Sequence, residues 1–519
     1  MKKVKKLLSQ ITSHEKPNTR NFAGSAAWEM NPEQAFKQLM YTGTCTTSYY
    51  VTEANAIESA YETVDAFTKE NPEKASEHIV GGRKEGFIRT APIMALACLS
   101  KHSPEHFKKI FCDVVITGND MGDFIDMIRS IGRGFGRGVK TAINEWLRER
   151  VTPFYAMKYT KQIGDAIRLA RPKNADRCVQ YCYSATAGTA EHTERSREIV
   201  EKIPQLFAFL TAMDFAKAGD WDQAMPLITE HRLDPTSFLG IPKIPSEVWT
   251  ALAPQMGTMA FLKNLNKIYR EGALTFELMQ TMLTCERLQK AKVFPYRLVI
   301  AHHNFEGPVW AKSYLSDVLN DYVKAYSWDV WKERTIAILP DVSGSMLNEI
   351  RGATLTPAVI AGYLSGIFAI APIGAVVVPW EARVDEQLGW KVANTKTSVM
   401  AVASLIACAN GGGTAMGSGI DYLRQFHNPE SKKAYGIESK HPDLLILITD
   451  AMETSHTGLL NAWIEYKKQF KDAELVIIRV DAYPKNPISD ADCRRYGVHQ
   501  VFGWNDSVIP WIERVVLSK

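Results

Sequence analysis

The 519-residue sequence has little excess charge of either sign. Its 61 Lys and Arg face 57 Asp and Glu, a formal net of +4. Taken whole, that total argues against a large basic face for nucleic acid, which usually shows as a clear excess. Cysteine is also sparse. Eight are scattered along the chain, at Cys45, Cys98, Cys112, Cys178, Cys182, Cys285, Cys408 and Cys493, and no C-x-x-C pair occurs. This excludes a small disulfide scaffold and supplies no ready zinc or dithiol motif. Cys178 and Cys182 stand four apart and read as two small buried side chains on one helix face. Free thiols fit a reducing compartment, so a cytoplasmic location is expected. The basic start Met1–Leu8 meets Ser9-Gln10 and His14-Glu15-Lys16 where an apolar core should follow, so no signal peptide is expected. The chain is 46% hydrophobic and 23% charged, which excludes a wholly disordered or collagen-like chain. Its length fits two to four domains at ~150 residues each.

What is present divides in two. Up to about residue 330, apolar residues recur at three- and four-residue spacing, as in Ala35-Phe36-Leu39-Met40 and Val248-Trp249-Leu252. Short loops such as Glu70-Asn71-Pro72 and Gly118-Asn119-Asp120 separate the segments. Many short helices in series suggest stacked helix pairs, without a strict sequence repeat. After about residue 334, strands and helices alternate. Strands are expected at 335–339, 375–379, 444–449 and 475–480. Helices are expected at 356–371, 398–409, 458–470 and 508–517. Unbroken apolar strands between helices imply a parallel sheet covered on both faces, a doubly wound α/β domain. The uncharged stretch 352–380 imitates a membrane span. Pro357, Pro372 and Pro379 punctuate it, and a buried helix followed by a buried strand explains it better.

The first strand of this half leads into Asp341-Val342-Ser343-Gly344-Ser345. One carboxylate and two hydroxyls alternate there on a turn at the carboxyl end of a strand, where such sheets hold ligands. Gly411-Gly412-Gly413-Thr414 adds a hydroxyl on a backbone able to approach closely. The strand 444–449 ends in Asp450, a second carboxylate at the same edge. Asp341, Ser343, Ser345, Thr414 and Asp450 form a hard, all-oxygen set that suits Mg²⁺ or another divalent cation. The plainer alternative is a turn at Asp341 and a helix cap at Asp450. Catalysis is a weaker use of these residues. Ser343 is not in G-x-S-x-G, no His stands near it as a base, and Gly411–Gly413 lacks the Lys-Ser/Thr of a P-loop. No enzyme is expected.

Dividing the charge is informative. Residues 129–173 hold eleven basic residues against Glu145, Glu149 and Asp165, a net of +8. The rest of the chain is therefore −4. The segment centres on Gly132-Arg133-Gly134-Phe135-Gly136-Arg137-Gly138-Val139-Lys140. From Gly136 a helix is expected, with Val139, Ile143, Trp146 and Leu147 on its apolar face. Arg137, Thr141, Asn144 and Arg148 line its polar face, with Lys140 beside them. Such a face offers donors to phosphates. A merely solvated helix face is the alternative.

Two resemblances follow from these residues. The five-position oxygen set resembles the metal-ion-dependent adhesion site of von Willebrand factor A domains, over roughly residues 335–519. In that family the metal keeps an open position for an acidic group of a partner. Residues 25–335 resemble the TROVE module of the Ro autoantigen family. The stretches that carry this are Thr46–Val51, Arg89–Ala97, Gly134–Ile143, Glu230–Leu233, Val248–Leu252, Thr258–Leu265 and Lys290–Tyr296. Domains are accordingly expected at 1–24 (a tail), 25–334 (the helical module) and 335–519 (the A-like domain). The resemblance implies a multidomain fold, a ring of HEAT-like helical repeats with a Rossmann-like α/β domain. It implies binding of small Y-like RNAs on a basic outer surface and of 3′ single-stranded ends of misfolded RNAs in a central hole. It also implies an exoribonuclease as a possible partner in bacteria, a monomer, and no membrane. Carried over, Arg137 and Lys140 are the first RNA contacts, followed by Arg133 and Lys161, with Arg168 and Arg171 beside them. The family's Trp-Ser-His-like stretch is absent before Arg168, where Gln162-Ile163-Gly164-Asp165 stands. A competing reading is a Mg²⁺-dependent protein-binding adaptor.

Overall fold

The computed structural model describes residues 17–21, 24–42, 53–86, 88–347, 356–395, 398–409, 411–425, 441–451, 458–480, 485–503 and 507–517. Met1–Leu8, Cys45 and Thr46–Val51 lie outside them. The chain falls into two compact units. One comprises residues 64–293 and 303–311, the other residues 1–63, 294–302 and 312–519.

The first unit is helical. Its helices include Pro72–Lys84, Thr90–His102, Pro104–Val114, Gly118–Ser130, Arg137–Arg150, Thr160–Ala170, Arg177–Ala187, Ala190–Val200 and Pro204–Ala218. Their limits follow local chemistry. Proline opens the first turn of Pro72–Lys84, Pro104–Val114 and Pro204–Ala218, where a missing N–H costs nothing. Thr117 and Asp120 form a capping box on Gly118–Ser130. Asp176 and Thr189 cap the next two helices after Thr160–Ala170. The Asp120 carboxylate is almost wholly buried between two guanidiniums, Arg83 at 2.7 Å and Arg89 at 2.8 Å. It also accepts from the Ile116 and Thr117 amides. A buried charge compensated on every side in this way fixes the loop between two helices.

The second unit is built on a five-stranded parallel sheet in the order β4-β3-β5-β6-β8. The strands are β3 (Ile336–Pro340), β4 (Val376–Val377), β5 (Leu444–Thr449), β6 (Glu474–Arg479) and β8 (Val498–Phe502). Every residue of β3 and β5 is buried, as a sheet covered on both faces requires. Ala337, Leu339, Leu445, Leu447, Leu475 and Ile477 point into one layer with Met416, Ile420, Trp463 and Tyr466. By alternation Ile336 and Ile338 serve the other layer, where the helix Pro357–Ile370 packs on β3. Counted along the chain, the strands run 2-1-3-4-5. The topological switch point therefore lies between β3 and β5.

The uncharged stretch is the buried helix Pro357–Ile370 followed by β4, as its pattern indicates, and among the described residues no helix is long and apolar enough to cross a membrane. Gly362 and Gly366 lie directly against the backbone of the helix Val399–Ala407. A Cβ on Gly366 would sit 2.6 Å from the Val399 carbonyl oxygen, and one on Gly362 would sit 2.8 Å from that of Ala403.

Residues 26–42, which the apolar spacing groups with the helical part, pack on this second unit. Strand β1 (Thr19–Arg20) pairs with β2 (Ala26–Glu29), which pairs antiparallel with β7 (Lys485–Asn486). The buried Gln38 side chain bridges to β8. Its Nε2 donates to the Gln500 carbonyl at 2.7 Å, and its Oε1 accepts from the Phe502 amide at 2.9 Å.

The contact at Gly366 leads to a stability prediction. Gly366→Ala should lower the unfolding midpoint of the second unit, at a cost of about 1–3 kcal/mol for the overpacked methyl. Thermal unfolding followed by calorimetry checks it, and an unchanged midpoint would contradict the close approach.

Candidate functional site

The basic segment is built on the helix Arg137–Arg150. Gly132 adopts a left-handed φ of 66° that ends the preceding helix, and Gly136 stands extended as the N-cap. Val139, Ala142, Ile143, Trp146 and Leu147 are buried. The Trp146 indole N–H donates to the Val115 carbonyl at 2.7 Å. The opposite stripe runs Arg137, Thr141, Asn144, Arg148, as the spacing implies, and all but the half-buried Asn144 are exposed.

The eleven basic residues separate into two groups. Five are committed inside the chain. Arg129 pairs with Asp126, Lys158 with Asp234 at 2.6 Å, and Arg168 with Asp165 at 2.8 Å. Arg150 donates to the Cys112 carbonyl at 2.9 Å. Arg133 donates to the Ser100 carbonyl at 3.1 and 3.3 Å and to that of Gly134 at 2.7 Å. Arg133, expected as an RNA contact, thus spends its donors pinning the glycine-rich turn to a neighbouring helix end. Burial opposes ionisation of Asp234, but the bonds from Lys158 and Thr236 outweigh it and hold that carboxyl below its usual range. The other six, Arg137, Lys140, Arg148, Lys161, Arg171 and Lys173, make no ion pair with the described residues.

The stripe continues beyond its own helix. The Asn144 amide donates to the carbonyl of Ala170 at 3.3 Å, at the end of Thr160–Ala170. Arg171 caps that end with a left-handed φ of 51°. Asn144, Arg148, Arg171 and Lys173 line one cavity of about 640 Å³. Arg168 and Arg171 line a second, of about 650 Å³, and Pro172, Ala175 and Val179 wall both. Lys161 is exposed at the other end of Thr160–Ala170, about 15 Å from Arg171 at 1.5 Å per residue.

The oxygen-rich set occupies the carboxyl edge of the sheet at the switch point. The Asp341 amide donates to Ile448 at 2.8 Å and that of Val342 to Trp380 at 2.9 Å, tying the end of β3 to both neighbours. Asp341 and Ser343 are fully buried and Asp450 is 2% exposed. Asp341 accepts from the Ser343 amide at 2.8 Å and from the Thr449 hydroxyl at 2.6 Å. The Ser343 and Ser345 hydroxyls lie 3.4 Å apart. The Gly344 amide donates to the Gly412 carbonyl at 2.9 Å, which brings the triple-glycine loop to the same edge. Thr414, two residues on, is half-buried. Gly411 has φ of 73° and Gly412 lies under the Glu381 carboxylate, where a side chain would clash. Ala451 is left-handed at φ 57°, an uncommon state for a residue with a Cβ, directly after Asp450.

Thr449 was not marked by the motif. A hydroxyl at the last strand position, immediately before Asp450, is the signal that could have found it. Burial first, and then the neighbouring charge of Asp450, push the Asp341 carboxyl well above its usual range. Its two bonds come from neutral donors. Among the described residues no three His, Cys, Asp or Glu side chains converge, so a cation here would depend on two carboxylates and the surrounding hydroxyls.

The raised pKa has a definite sign. A carboxyl that binds its proton more tightly when folded loses native-state stability as pH rises above its unfolded value near 3.9, up through the folded value. Asp450→Asn, measured in chelator, should therefore raise the unfolding midpoint at pH 7 by a few degrees, at ~2–4 °C per kcal/mol. The gain should shrink towards pH 4. A lower midpoint at pH 7 would contradict the repulsion.

A family model for the TROVE domain matches residues 244–340. That range holds the Val248–Leu252, Thr258–Leu265 and Lys290–Tyr296 stretches. The structure is similar to the crystal structure of the Deinococcus radiodurans Ro (RSR) protein, with a TM-score of 0.62 and 16% sequence identity, over 92% of this chain and 98% of that one. Residues 244–340 thus carry a TROVE-domain match, and the chain shares the fold of that Ro protein along nearly its whole length.

Proposed function

We propose that the chain is a non-catalytic RNA-binding protein, the protein component of a ribonucleoprotein. The observation that carries this is the row of basic side chains, from Arg137 and Lys140 through Arg148 to Arg171, that make no ion pair among the described residues. A helix with one face buried sets them on a fixed track, so a phosphate backbone meets several donors in register without reordering the protein. Arg168, though paired with Asp165, still contributes at the same end.

The finer reading draws on the family resemblance. Small Y-like RNAs bind this basic surface, and single-stranded 3′ ends of misfolded non-coding RNAs bind elsewhere on a ring of HEAT-like repeats, in RNA quality control. An exoribonuclease is the protein partner this implies, and the cytoplasm is the compartment.

The second unit supports a companion role as an adhesion-type A domain. Asp341, Ser343, Ser345, Thr414 and Asp450 would hold Mg²⁺, and Thr449 would orient Asp341 toward it. The repulsion between two buried carboxylates is the feature that fits a divalent cation. The ion would supply an open position for an acidic group of a protein partner. This is the adaptor reading, and it can operate beside RNA binding.

Two measurements test these roles. Binding of a structured RNA with a 3′ single-stranded tail should weaken steeply between 50 and 200 mM salt. Arg137→Ala with Lys140→Ala should lower the slope of log K against log salt by about 2. No binding at low salt, or an unchanged slope, would refute the assignment. For the metal, Mg²⁺ should raise the unfolding midpoint of the wild type and leave that of Asp450→Asn unmoved. An equal rise in both would remove the site.

A further inference from the structure

A cavity of about 380 Å³ lies beside β8 within the second unit. It shares no lining residue with the basic track or the oxygen-rich edge. One wall is the helix Pro32–Thr42, which the Gln38 bridge seats on β8. The other runs from β7 through the helix Asp490–Tyr496 to β8 itself. Trp511 and Val498 add apolar surface.

Two amide side chains line this cavity from inside. Asn486 is 2% exposed and Gln500 8%. Each has its N–H end committed within the protein. The Gln500 Nε2 donates to the Ile488 carbonyl at 3.0 Å and to the Cys493 Sγ at 2.9 Å. The Asn486 Nδ2 donates to an Asp490 carboxylate oxygen at 3.3 Å. An amide oxygen in either place would face another acceptor, so both amides are fixed in orientation. Gln500 Oε1 and Asn486 Oδ1 are then left buried, with no hydrogen-bond donor among the described residues. Two such acceptors in one cavity are costly until donors reach them. The charges are sorted as well. Asp490 is half-buried on the same wall. It accepts from neutral groups, the Asn486 amide and the Asn31 backbone N–H at 3.2 Å. Lys37 and Arg494 also line the cavity but are exposed. None of these three makes an ion pair among the described residues. The buried part is thus negative and rich in acceptors, and the open part is positive.

We propose that this cavity binds a small zwitterion, an ω-guanidino or ω-amino carboxylate. Its cationic end donates to Gln500 Oε1 and Asn486 Oδ1, beside the charge of Asp490. Its carboxylate lies at the mouth with Lys37 and Arg494, and its methylene stem runs along Trp511 and Val498. A guanidinium suits the inner end best, because its planar fork presents several N–H groups at fixed angles. An inorganic cation would leave the two mouth charges unanswered. An anion would meet two unsatisfied acceptors and a carboxylate. The volume lies at the small end of the ~300–1,000 Å³ range of ligand pockets, which suits a metabolite and not a length of polymer. A ligand held by Lys37 on one wall and by Asn486 and Gln500 on the other also ties the helix Pro32–Thr42 to the sheet edge. The site is independent of the RNA-binding and metal readings above.

The test is isothermal titration calorimetry on the full chain with three probes: 4-guanidinobutyrate, methylguanidinium and butyrate. The wild type should bind 4-guanidinobutyrate saturably, about tenfold more tightly than either half-molecule, as one charge-assisted contact gives. Lys37→Gln with Arg494→Gln should weaken 4-guanidinobutyrate about tenfold and leave methylguanidinium unchanged. Asp490→Asn should weaken both by a similar factor. Lys37 and Arg494 are exposed, so the mouth pair keeps the test decisive even where Asp490→Asn folds poorly. No saturable binding of 4-guanidinobutyrate to the wild type at about 10 mM, or equal affinity for all three probes, would overturn the site. So would an affinity for 4-guanidinobutyrate that the mouth pair does not change, or one that a folded Asp490→Asn variant does not change.

Discussion

The basic face of the helical unit depends on the burial of the opposite side of one helix. Arg137–Arg150 places Val139, Ile143, Trp146 and Leu147 in the core, and the Trp146 N–H is satisfied by the Val115 carbonyl. Those contacts fix the rotation of the helix about its axis. With the rotation fixed, Arg137, Thr141, Asn144 and Arg148 must share the outer stripe. A row of like charges would otherwise disperse on a mobile segment, since each side chain gains by moving away from the next. Here the apolar face supplies the stabilisation, and the charges tolerate one another in water at helical spacing. Asn144 then joins the stripe to the end of the next helix, where Arg171 and the two cavities lie.

The second unit places repulsion inside the protein and not on its surface. A doubly wound sheet brings the ends of β3 and β5 together at its switch point, and an aspartate directly follows each strand. The neutral donors at Ser343 and Thr449 hold Asp341 in position without cancelling its charge. The left-handed Ala451 adds backbone strain at the same place. Strain and the repulsion between two buried carboxyls at one sheet edge are costs that a fold tolerates where a ligand compensates them.

Much of this architecture was legible in the sequence. Where strands are uniformly apolar, as at 336–340, 444–449 and 474–479, the pattern marked them to within a residue, because a sheet buried on both faces admits little else. The strand Val498–Phe502 escaped because His499 and Gln500 interrupt it. Two of its backbone groups, the Gln500 carbonyl and the Phe502 amide, bond to Gln38, more than 450 residues away in sequence, and no local pattern carries that. The same long-range bonding explains why residues 26–42 belong to the second unit despite their helical spacing. The short helices 386–394, 418–424 and 490–496 were missed as well, too brief for periodicity to register.

The candidate sites were legible to different depths. Asp341, Ser343, Ser345 and Asp450 form a spaced motif, so chemistry alone marked them. In the basic segment, sequence gave the charge but not its disposition. Only the structure separates Arg133 and Lys158, whose donors are engaged, from Arg137 and Arg171, whose charges make no ion pair with the described residues. The most direct test of the central claim is photo-crosslinking of a bound structured RNA to the full chain, with the crosslinked peptides identified by mass spectrometry. The account predicts crosslinks concentrated between residues 133 and 195. Crosslinks confined to other parts of the chain would contradict it.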